Sequence, residues 1–169
     1  KDERIISVST SYSDGESAAY QLISNGFEGE SKRTWTNISA SVSIKGEGEA
    51  RPSDYWSESS LFYKNLKKTD IGSKALERVL RKLGQKKAKS GKYTMVVDYL
   101  NVTQLGNPLL SALLGSALQQ KNSFLLDKLG QKVVSDKLTL RDEPHWVGAS
   151  GARYFDAEGV ATEPRAIFE

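Results

Sequence analysis

The sequence predicts an α+β protein in which a long antiparallel β-hairpin or sheet packs with a few helices. Three observations carry this prediction. Residues 34–45 alternate apolar and polar side chains, residues 70–84 change to a helical period, and short strand and helix patterns follow without any repeat. The order of strands, helix, strand, helices and strands is typical of the α+β class.

Two shorter β-patterns precede the alternating segment. Residues 4–12 alternate in character, which predicts a strand. The cluster at residues 13–16 is rich in turn formers and predicts a turn, after which a second strand is expected over 18–24. Asn25-Gly26 is the strongest short signal for a β-hairpin and predicts that the chain reverses there.

The alternating segment at residues 34–45 is the clearest element of the sequence. At about 3.3 Å per residue its strand would be roughly 40 Å long. Because one side is apolar and the other polar, we expect an antiparallel sheet that is covered on one side only. A further strand is expected through Tyr55 and Trp56. The apolar side consists of Thr34, Thr36, Ile38, Ala40, Val42 and Ile44.

A helix is predicted from Asp70, which is a favourable N-cap residue, to Gly84, which is a favourable residue just after a helix end. Its apolar residues fall on one half of the helical wheel. The remaining expected elements are, in chain order, a strand at 93–97, a helix starting at Pro108 and running through 109–118, a helix at 124–129, a strand at 138–140 and a loop at 143–159.

Composition excludes several classes of chemistry. The chain of 169 residues contains no cysteine, which removes disulfides, thiolate nucleophiles and cysteine-ligated metal sites. With one histidine, His145, a zinc site made of several imidazoles cannot be assembled from this chain. No apolar run approaches 18 residues, so no membrane span is expected. The start at Lys1 and the end inside an expected strand predict a segment of a larger, two-domain protein.

Positive charge is concentrated between Lys64 and Lys92. This segment holds 11 basic residues against Asp70 and Glu77, a local net charge of +9, which leaves −6 for the rest because the whole chain carries +3. Such a segment is a candidate surface for nucleic acid or an anionic surface, although charge patterning of this kind favours a solvated helix face with its following loop. The candidate basic surface comprises Lys74, Arg78, Arg81, Lys82, Lys86, Lys87 and Lys89.

The candidate chemical groups lie near the C-terminus. His145 stands beside Trp146 in the expected loop, and Asp156 and Glu158 are two residues apart. Paired carboxylates can serve acid–base or metal chemistry. The alternative is a turn in which Asp156 accepts backbone hydrogen bonds and Gly159 takes a positive φ, and the spacing alone favours that turn.

Three segments together resemble the TldD/PmbA family. GARYFDAEGVATE at 151–163 is similar to the family's FDxEGV stretch, and SFLLDKLGQKV at 123–133 is similar to its SFLxxxLGxxV stretch. SDGES at 13–17, followed by SNGF at 24–27, resembles its N-terminal hairpin. The resemblance implies a structural or substrate-path role for the motif positions Ser123, Phe124, Gly130, Phe155, Asp156, Glu158 and Gly159.

The catalytic branch of that family carries HExxxH, in which two histidines bind zinc and the glutamate is the general base. Alignment by eye places Ser111 and Ser116 at the histidines and Ala112 at the glutamate. Serine hydroxyls do not replace two imidazoles, and Ala112 cannot accept a proton. The chain therefore resembles the PmbA branch, also called TldE, whose members lack the metal, so we expect no cofactor here and zinc on a catalytic partner.

The resemblance implies a non-catalytic subunit of a cytoplasmic metalloprotease that processes unfolded peptides, paired with a TldD-like subunit or with itself. Two alternatives stay open, a module that binds nucleic acid or DNA gyrase through the basic segment and a partner-independent peptidase using the carboxylates and His145. We expect one segment of the family's N-terminal region that leads toward a C-terminal domain. Its expected parts are 1–62, mainly β; 63–92, the basic helix and loop; 93–142, mixed; and 143–169, a loop and strand.

Overall fold

The computed structural model describes residues 2–168, which form two compact units. The first unit contains residues 2–87 and 142–165, and the second contains residues 88–141 and 166–168. The mixture of an antiparallel sheet with several helices confirms the α+β class. None of the helices formed by residues 2–168 has the length and apolar content that a membrane crossing requires.

The first unit is built on a three-stranded antiparallel sheet in the order β1-β2-β3. Strand β1 runs over Ile5–Leu22, β2 over Glu28–Ile44 and β3 over Ser53–Ser60. The chain reverses between β1 and β2 at Asn25-Gly26, where Gly26 has a φ of 93° and the Asn25 side chain accepts a backbone hydrogen bond within the turn. The predicted hairpin, the long strand and the strand through Tyr55 and Trp56 are all confirmed.

The turn predicted at residues 13–16 is wrong, because β1 continues through that segment as one strand of 18 residues. Gly15 pairs there with Trp35 on β2. A Cβ atom on Gly15 would lie 2.8 Å from the Trp35 indole ring, closer than packing allows. The glycine is therefore required by the close approach of the indole across the ladder, and it does not mark a turn.

The two sides of the sheet differ as the alternating pattern predicts. One side is covered by helix α1, Ile71–Leu80, and the side chains in contact form the core of the unit. The other side, here named the serine face, presents serines in cross-strand pairs such as Ser11 and Ser39, whose hydroxyl oxygens are 2.9 Å apart. The buried core residues are Ala40, Val42, Ile44, Ile71, Ala75 and Val79.

Both ends of α1 differ from the prediction. Asp70 precedes the helix but has a φ of 64° and makes no capping hydrogen bond, because an N-cap side chain needs an extended backbone to reach the first helical N–H groups. The helix ends at Leu80, and turns lead to Gly84, which has a φ of 69°. The glycine provides the predicted left-handed residue, a few positions beyond the last helical turn.

In the second unit a short 3₁₀ turn at Tyr99–Asn101 leads into α2, Val102–Ala112, and α3 covers Gly115–Gln119. The predicted single helix starting at Pro108 is wrong. The Asp98 side chain accepts a hydrogen bond from the Leu100 N–H, which starts the helical turns early, and Pro108 lies inside α2. Proline removes one N–H donor from the helical ladder, and α2 nevertheless continues to Ala112.

The strand predicted at 93–97 does not form. A strand exists only beside a hydrogen-bonding neighbour, and the described residues 2–168 place none next to this segment, where Met95 and Val96 are exposed. The helix predicted at 124–129 is replaced by turns, because Asp127 adopts a positive φ of 59° that a right-handed helix cannot contain.

Two short strands complete the fold. Strand β4, Leu140–Asp142, overlaps the strand predicted at 138–140 only at its first residue, and β5, Arg165–Phe168, pairs with it. The strand expected at the end of the chain is confirmed up to residue 168, while residue 169 lies outside the described residues. The segment predicted as a loop at 143–159 contains turns and no helix.

Candidate functional site

The FDAEGV motif folds into a tight turn organised by Asp156. One oxygen of its carboxylate, Oδ1, accepts backbone hydrogen bonds from the N–H groups of Glu158 and Val160, each at 2.9 Å. Gly159 has a φ of 78°, and Phe155 bridges to Ala161 across the turn. The interpretation of Asp156 as a turn-forming residue is confirmed, and the side chain of Glu158 is exposed.

This turn, residues 155–161 and here named the motif turn, packs against the tip of the β1–β2 hairpin. The rings of Phe155 and Phe27 lie 4.9 Å apart, and the Gln21 side chain donates a hydrogen bond of 2.7 Å to the Ala157 carbonyl. A Cβ on Gly159 would lie 2.4 Å from Phe27. Glycine is thus required at Gly159 both by its positive φ and by the phenylalanine packed against it.

The loop that precedes the motif turn is held by Arg33 and His145. The Arg33 guanidinium donates to the carbonyls of Ser150 and Ala152 at 3.3 and 3.0 Å. Thr162 donates its hydroxyl proton to the Arg153 carbonyl at 2.6 Å, and its oxygen lies 3.2 Å from His145 Nε2. Because that hydroxyl proton is already used, His145 must be the donor in its contact with Thr162.

An open cleft of about 1010 Å³, here named the hairpin cleft, lies between the β1–β2 hairpin and the loop and motif turn. Charged groups of both signs line it, with Glu16 and Glu30 against Lys32 and Arg33. This volume is at the upper end of the range for small-molecule sites, and the cleft is open to solvent.

Sequence reasoning identified the motif turn but missed the residues that receive it. The FDxEGV resemblance pointed to Phe155, Asp156, Glu158 and Gly159, which the structure brings together in one turn. Arg33 gave no signal, because a single arginine in an alternating strand reads as an ordinary solvent-facing residue. The SNGF resemblance did include Phe27, yet only the fold brings that ring to Gly159.

The second motif, SFLLDKLGQKV, has a structural part in the second unit. The buried Ser123 hydroxyl donates to the Ala112 carbonyl at 2.5 Å and accepts from the Leu125 N–H at 3.0 Å. This hydroxyl therefore satisfies a carbonyl at the C-terminal end of α2, where helical partners run out. Phe124 is exposed, and Gly130 has a φ of 73°.

The positions aligned with HExxxH are separated by a break in the helix. Ser111 and Ala112 close α2, Leu114 has an extended ψ of 133°, and Ser116 lies in α3. Ala112 is buried, whereas both serines are exposed. The two aligned serines therefore do not lie on one continuous helix.

A zinc ion of the kind implied by HExxxH does not fit these residues. Two serines and an alanine provide neither imidazole nor carboxylate, and the sequence holds one histidine and no cysteine. Residues 2–168 contain no group of three or more His, Cys, Asp or Glu side chains placed to hold a metal ion. No chemical step is assigned to a metal on this chain.

The basic side chains of α1 are paired with acidic residues. Lys74 contacts Glu58 at 3.2 Å, and Arg78 and Lys82 contact Asp54 at 3.4 and 3.2 Å. Arg81 pairs with a glutamate one turn earlier on α1. Asp54 and Glu58 on β3 and Glu77 on α1 thus oppose four cations and leave a formal charge of +1, so the field of this part of the candidate basic surface is weaker than the sequence suggests. The remaining members, Lys86, Lys87 and Lys89, are exposed in the following loop.

The two carboxylates on β3, Asp54 and Glu58, have depressed pKa values. The hydrogen bond from the Trp56 indole is the main cause that lowers the pKa of Glu58, and Lys74 adds to it. Burial by itself raises the pKa of Asp54, but the Tyr55 backbone N–H and the nearby cations outweigh burial and leave that pKa below its ordinary value. These acids therefore stay charged and hold α1 on β3.

Comparison with known families covers almost the whole chain. The profile described as the PmbA/TldA metallopeptidase central domain matches residues 1–83, and the profile of the C-terminal domain of the same metallopeptidase matches residues 90–169. Both profiles define a class of metallopeptidase-like proteins. The chain belongs to the PmbA/TldD family.

Similar curated proteins carry metalloprotease names. The chain is 32% identical over 99 residues to Metalloprotease PmbA of Escherichia coli O157:H7, a match that covers 59% of this chain and 22% of that protein. It is 31% identical over 136 residues to a Haemophilus influenzae homologue of PmbA, covering 79% of this chain and 30% of that protein. The chain thus spans less than a third of the length of these two relatives.

Two crystal structures share the fold. One, from Bacteroides thetaiotaomicron and named as a proposed modulator of DNA gyrase, has a TM-score of 0.97 and 70% identity over 100% of this chain and 39% of that chain. A Thermotoga maritima protein with the same kind of name has a TM-score of 0.90 at 24% identity, covering 99% of this chain and 39% of that one. The second likeness bears on the fold alone.

Proposed function

We propose that this chain is part of a metal-free subunit of a TldD/TldE-type metalloprotease, which handles unfolded peptides while a catalytic partner holds the zinc. The observation that carries the proposal is the content of the aligned HExxxH positions, Ser111, Ala112 and Ser116. Family membership supports a role in proteolysis, and these three residues cannot supply its metal chemistry.

In this proposal the residues of the chain bind and orient a peptide rather than cleave it. The hairpin cleft offers charged and hydrogen-bonding groups along two walls, which suits an extended backbone. Asp156 has a structural part in this proposal, because its Oδ1 accepts two backbone N–H groups of its own turn. The partner is a TldD-like subunit, and the complex is cytoplasmic.

The test combines metal analysis with reconstitution. The whole protein, purified alone, is expected to contain far less than one zinc per chain and to leave an unstructured peptide intact. A relative that carries HExxxH is expected to co-purify from the native cells and to restore cleavage. Stoichiometric, tightly held zinc in the isolated protein would contradict the proposal that this subunit is metal-free.

Other outcomes of the same experiment separate the alternatives. Peptide cleavage by the protein alone, lost on Glu158→Gln, would favour a partner-independent peptidase. Co-purification of gyrase subunits without a protease subunit would favour the activity named for the two similar structures. A complex that holds only copies of this protein would replace the catalytic partner by a homodimer.

A further inference from the structure

A second recess, here named the sheet pocket, adjoins the hairpin cleft. It has a volume of about 520 Å³ and lies on the side of the sheet that carries α1, between β1, β2 and residues 61–64. Glu16, Thr34, Leu61 and Phe62 line both the pocket and the cleft. A chain that lies in the cleft can therefore place one end in the pocket.

The strand register sets the polar groups of the pocket on one face. Asp14 pairs with Thr36 and Glu16 pairs with Thr34, and directly paired residues of an antiparallel ladder project to the same side. The Thr34 hydroxyl is satisfied, since it donates to the Leu61 carbonyl at 2.5 Å. Thr36 is only 3% exposed, and its Oγ1 has no hydrogen-bond partner among the described residues.

Aromatic rings and charged groups of both signs complete the pocket. Tyr12 and Tyr63 meet edge to face with ring centroids 6.4 Å apart. The carboxylates of Asp14 and Glu16 and the ammonium of Lys64 lie in the lining. The Lys68 ammonium lies 3.9 Å from the Tyr63 ring centre, where it makes a cation–π contact with one face of that ring.

We propose that the sheet pocket binds a primary ammonium group carried by a peptide. Such a group has three N–H donors and no acceptor, which matches two carboxylates and the unpartnered Thr36 oxygen. The cation–π contact of Lys68 with Tyr63 shows that an aromatic ring of the lining stabilises an ammonium group here. The proposal rests on the proposed function only in taking the ligand to be a peptide, and its source is the α-amino group or a lysine side chain.

The test measures binding of three fluorescent decapeptides of glycine, alanine and serine, each labelled at its C-terminus, to the whole protein without any protease partner. The first has a free α-amino group, the second is N-acetylated, and the third is N-acetylated with one internal lysine. We expect the second to bind at least tenfold more weakly than the first or the third. The peptide that keeps its affinity identifies the source of the ammonium group, and equal affinity for all three would overturn the proposal.

Charge-neutralising variants locate the site. Asp14→Asn with Glu16→Gln is expected to remove the tenfold preference for the amine and to leave binding of the acetylated peptide unchanged. The matched control, Glu47→Gln with Glu49→Gln in the exposed loop after β2, removes the same charge elsewhere and should keep the preference. A preference that survives in the Asp14/Glu16 variant would overturn the site.

Thr36→Val separates ligand binding from a structural role. Valine has nearly the same shape and lacks the unpartnered oxygen, so folding should be unharmed. We expect the affinity for the amine peptide to fall severalfold while the midpoint of thermal unfolding stays level or rises. Unchanged affinity would remove Thr36 from the site. No protease partner is present in these binding measurements. A negative result would therefore reject the ammonium site without bearing on the proposal that a catalytic partner holds the zinc.

Discussion

The two units of the chain bury their apolar residues to very different degrees. In the first unit, α1 covers the sheet, and Ile44, Ala75 and Val79 are completely inaccessible to solvent. In the second unit, only Ala112 and Leu125 are buried apolar residues among those described, while Val96 is 93% exposed. A sequence of ordinary hydrophobic content thus provides a complete core in one unit and leaves apolar surface open in the other.

This difference shows what kind of partner each pattern needs. The alternating strand and the amphipathic helix of the first unit find complementary surfaces in the same unit. The apolar segment at 93–97 lacks the hydrogen-bonding neighbour that would make it a strand. The described residues therefore cover the apolar side chains of the first unit and leave many of those of the second exposed, and the experiments below test this contrast.

The largest expected effect comes from the motif turn on the first unit. Gly159→Ala should lower the free energy of unfolding by roughly 3 kcal/mol, because a Cβ there meets Phe27 and the residue has a positive φ. Gly148→Ala is the matched control, since Gly148 also has a positive φ but open space around it, and about 1 kcal/mol is expected. The measurement is urea unfolding of both variants. Equal losses of unfolding free energy in Gly159→Ala and Gly148→Ala would contradict the role of the Phe27 contact.

The second prediction compares one valine from each unit. Val79→Ala should lower the free energy of unfolding by roughly 2 kcal/mol, because the removed methyl groups leave a cavity in the core. Val96→Ala should cost less than about 0.5 kcal/mol if the segment is exposed in solution as it is here. Denaturation curves decide between these values. A cost above about 1 kcal/mol for Val96→Ala would mean that another surface covers it.

The third prediction concerns the buried hydroxyl of Ser123 in the second unit. Ser123→Ala removes a buried hydroxyl that satisfies the Ala112 carbonyl, and a loss of about 1–2 kcal/mol is expected. Ser116→Ala, at an exposed position of the same unit, is the control and should be nearly neutral. Hydrogen exchange of the α2 amides gives a local readout. Identical exchange in both variants would contradict the capping role of Ser123.

The smallest effect is the pH dependence of the contact between α1 and β3. Because Asp54 and Glu58 have lowered pKa values in the folded state, their stabilising contribution is complete above their unfolded values of about 3.8 and 4.5. It is lost as the pH falls through the folded values. The free energy of unfolding should fall between pH 7 and pH 3 in the wild type. This fall should be larger, by up to about 1 kcal/mol, than in the double variant Asp54→Asn with Glu58→Gln. Equal pH dependence would contradict the role of the ion pairs.

Local patterns predicted the first unit better than the second. Alternation and the Asn25-Gly26 turn identified the long hairpin, because period-two patterns and turn chemistry are local properties. Long-range contacts decided the rest. The sequence predicted a turn at Gly15, whereas the contact with Trp35 across the ladder explains that glycine. It also predicted a helix start at Pro108, whereas Asp98 begins the helical turns earlier.

The candidate site follows the same division. Asp156 and Gly159 were recognisable from spacing, since both act within one turn. Phe27 packs against that turn, and Arg33 holds the loop before it, each from more than a hundred residues away in the sequence, a separation that local sequence patterns do not bridge. The ion pairs of Asp54 and Glu58 likewise changed the meaning of the basic helix.

The indole of Trp35 over Gly15 has a consequence for how the hairpin finds its alignment. The serine and apolar residues alternate so regularly that sliding β1 past β2 by two residues would still keep serines on one side and apolar residues on the other. A shift of two residues in one direction would bring Ser13 beneath the indole, and a shift in the other direction would bring Ser17 there. A Cβ atom has no room at that position. A single missing side chain therefore adds, in the middle of the ladder, a second constraint on the register that the Asn25-Gly26 turn sets at its end.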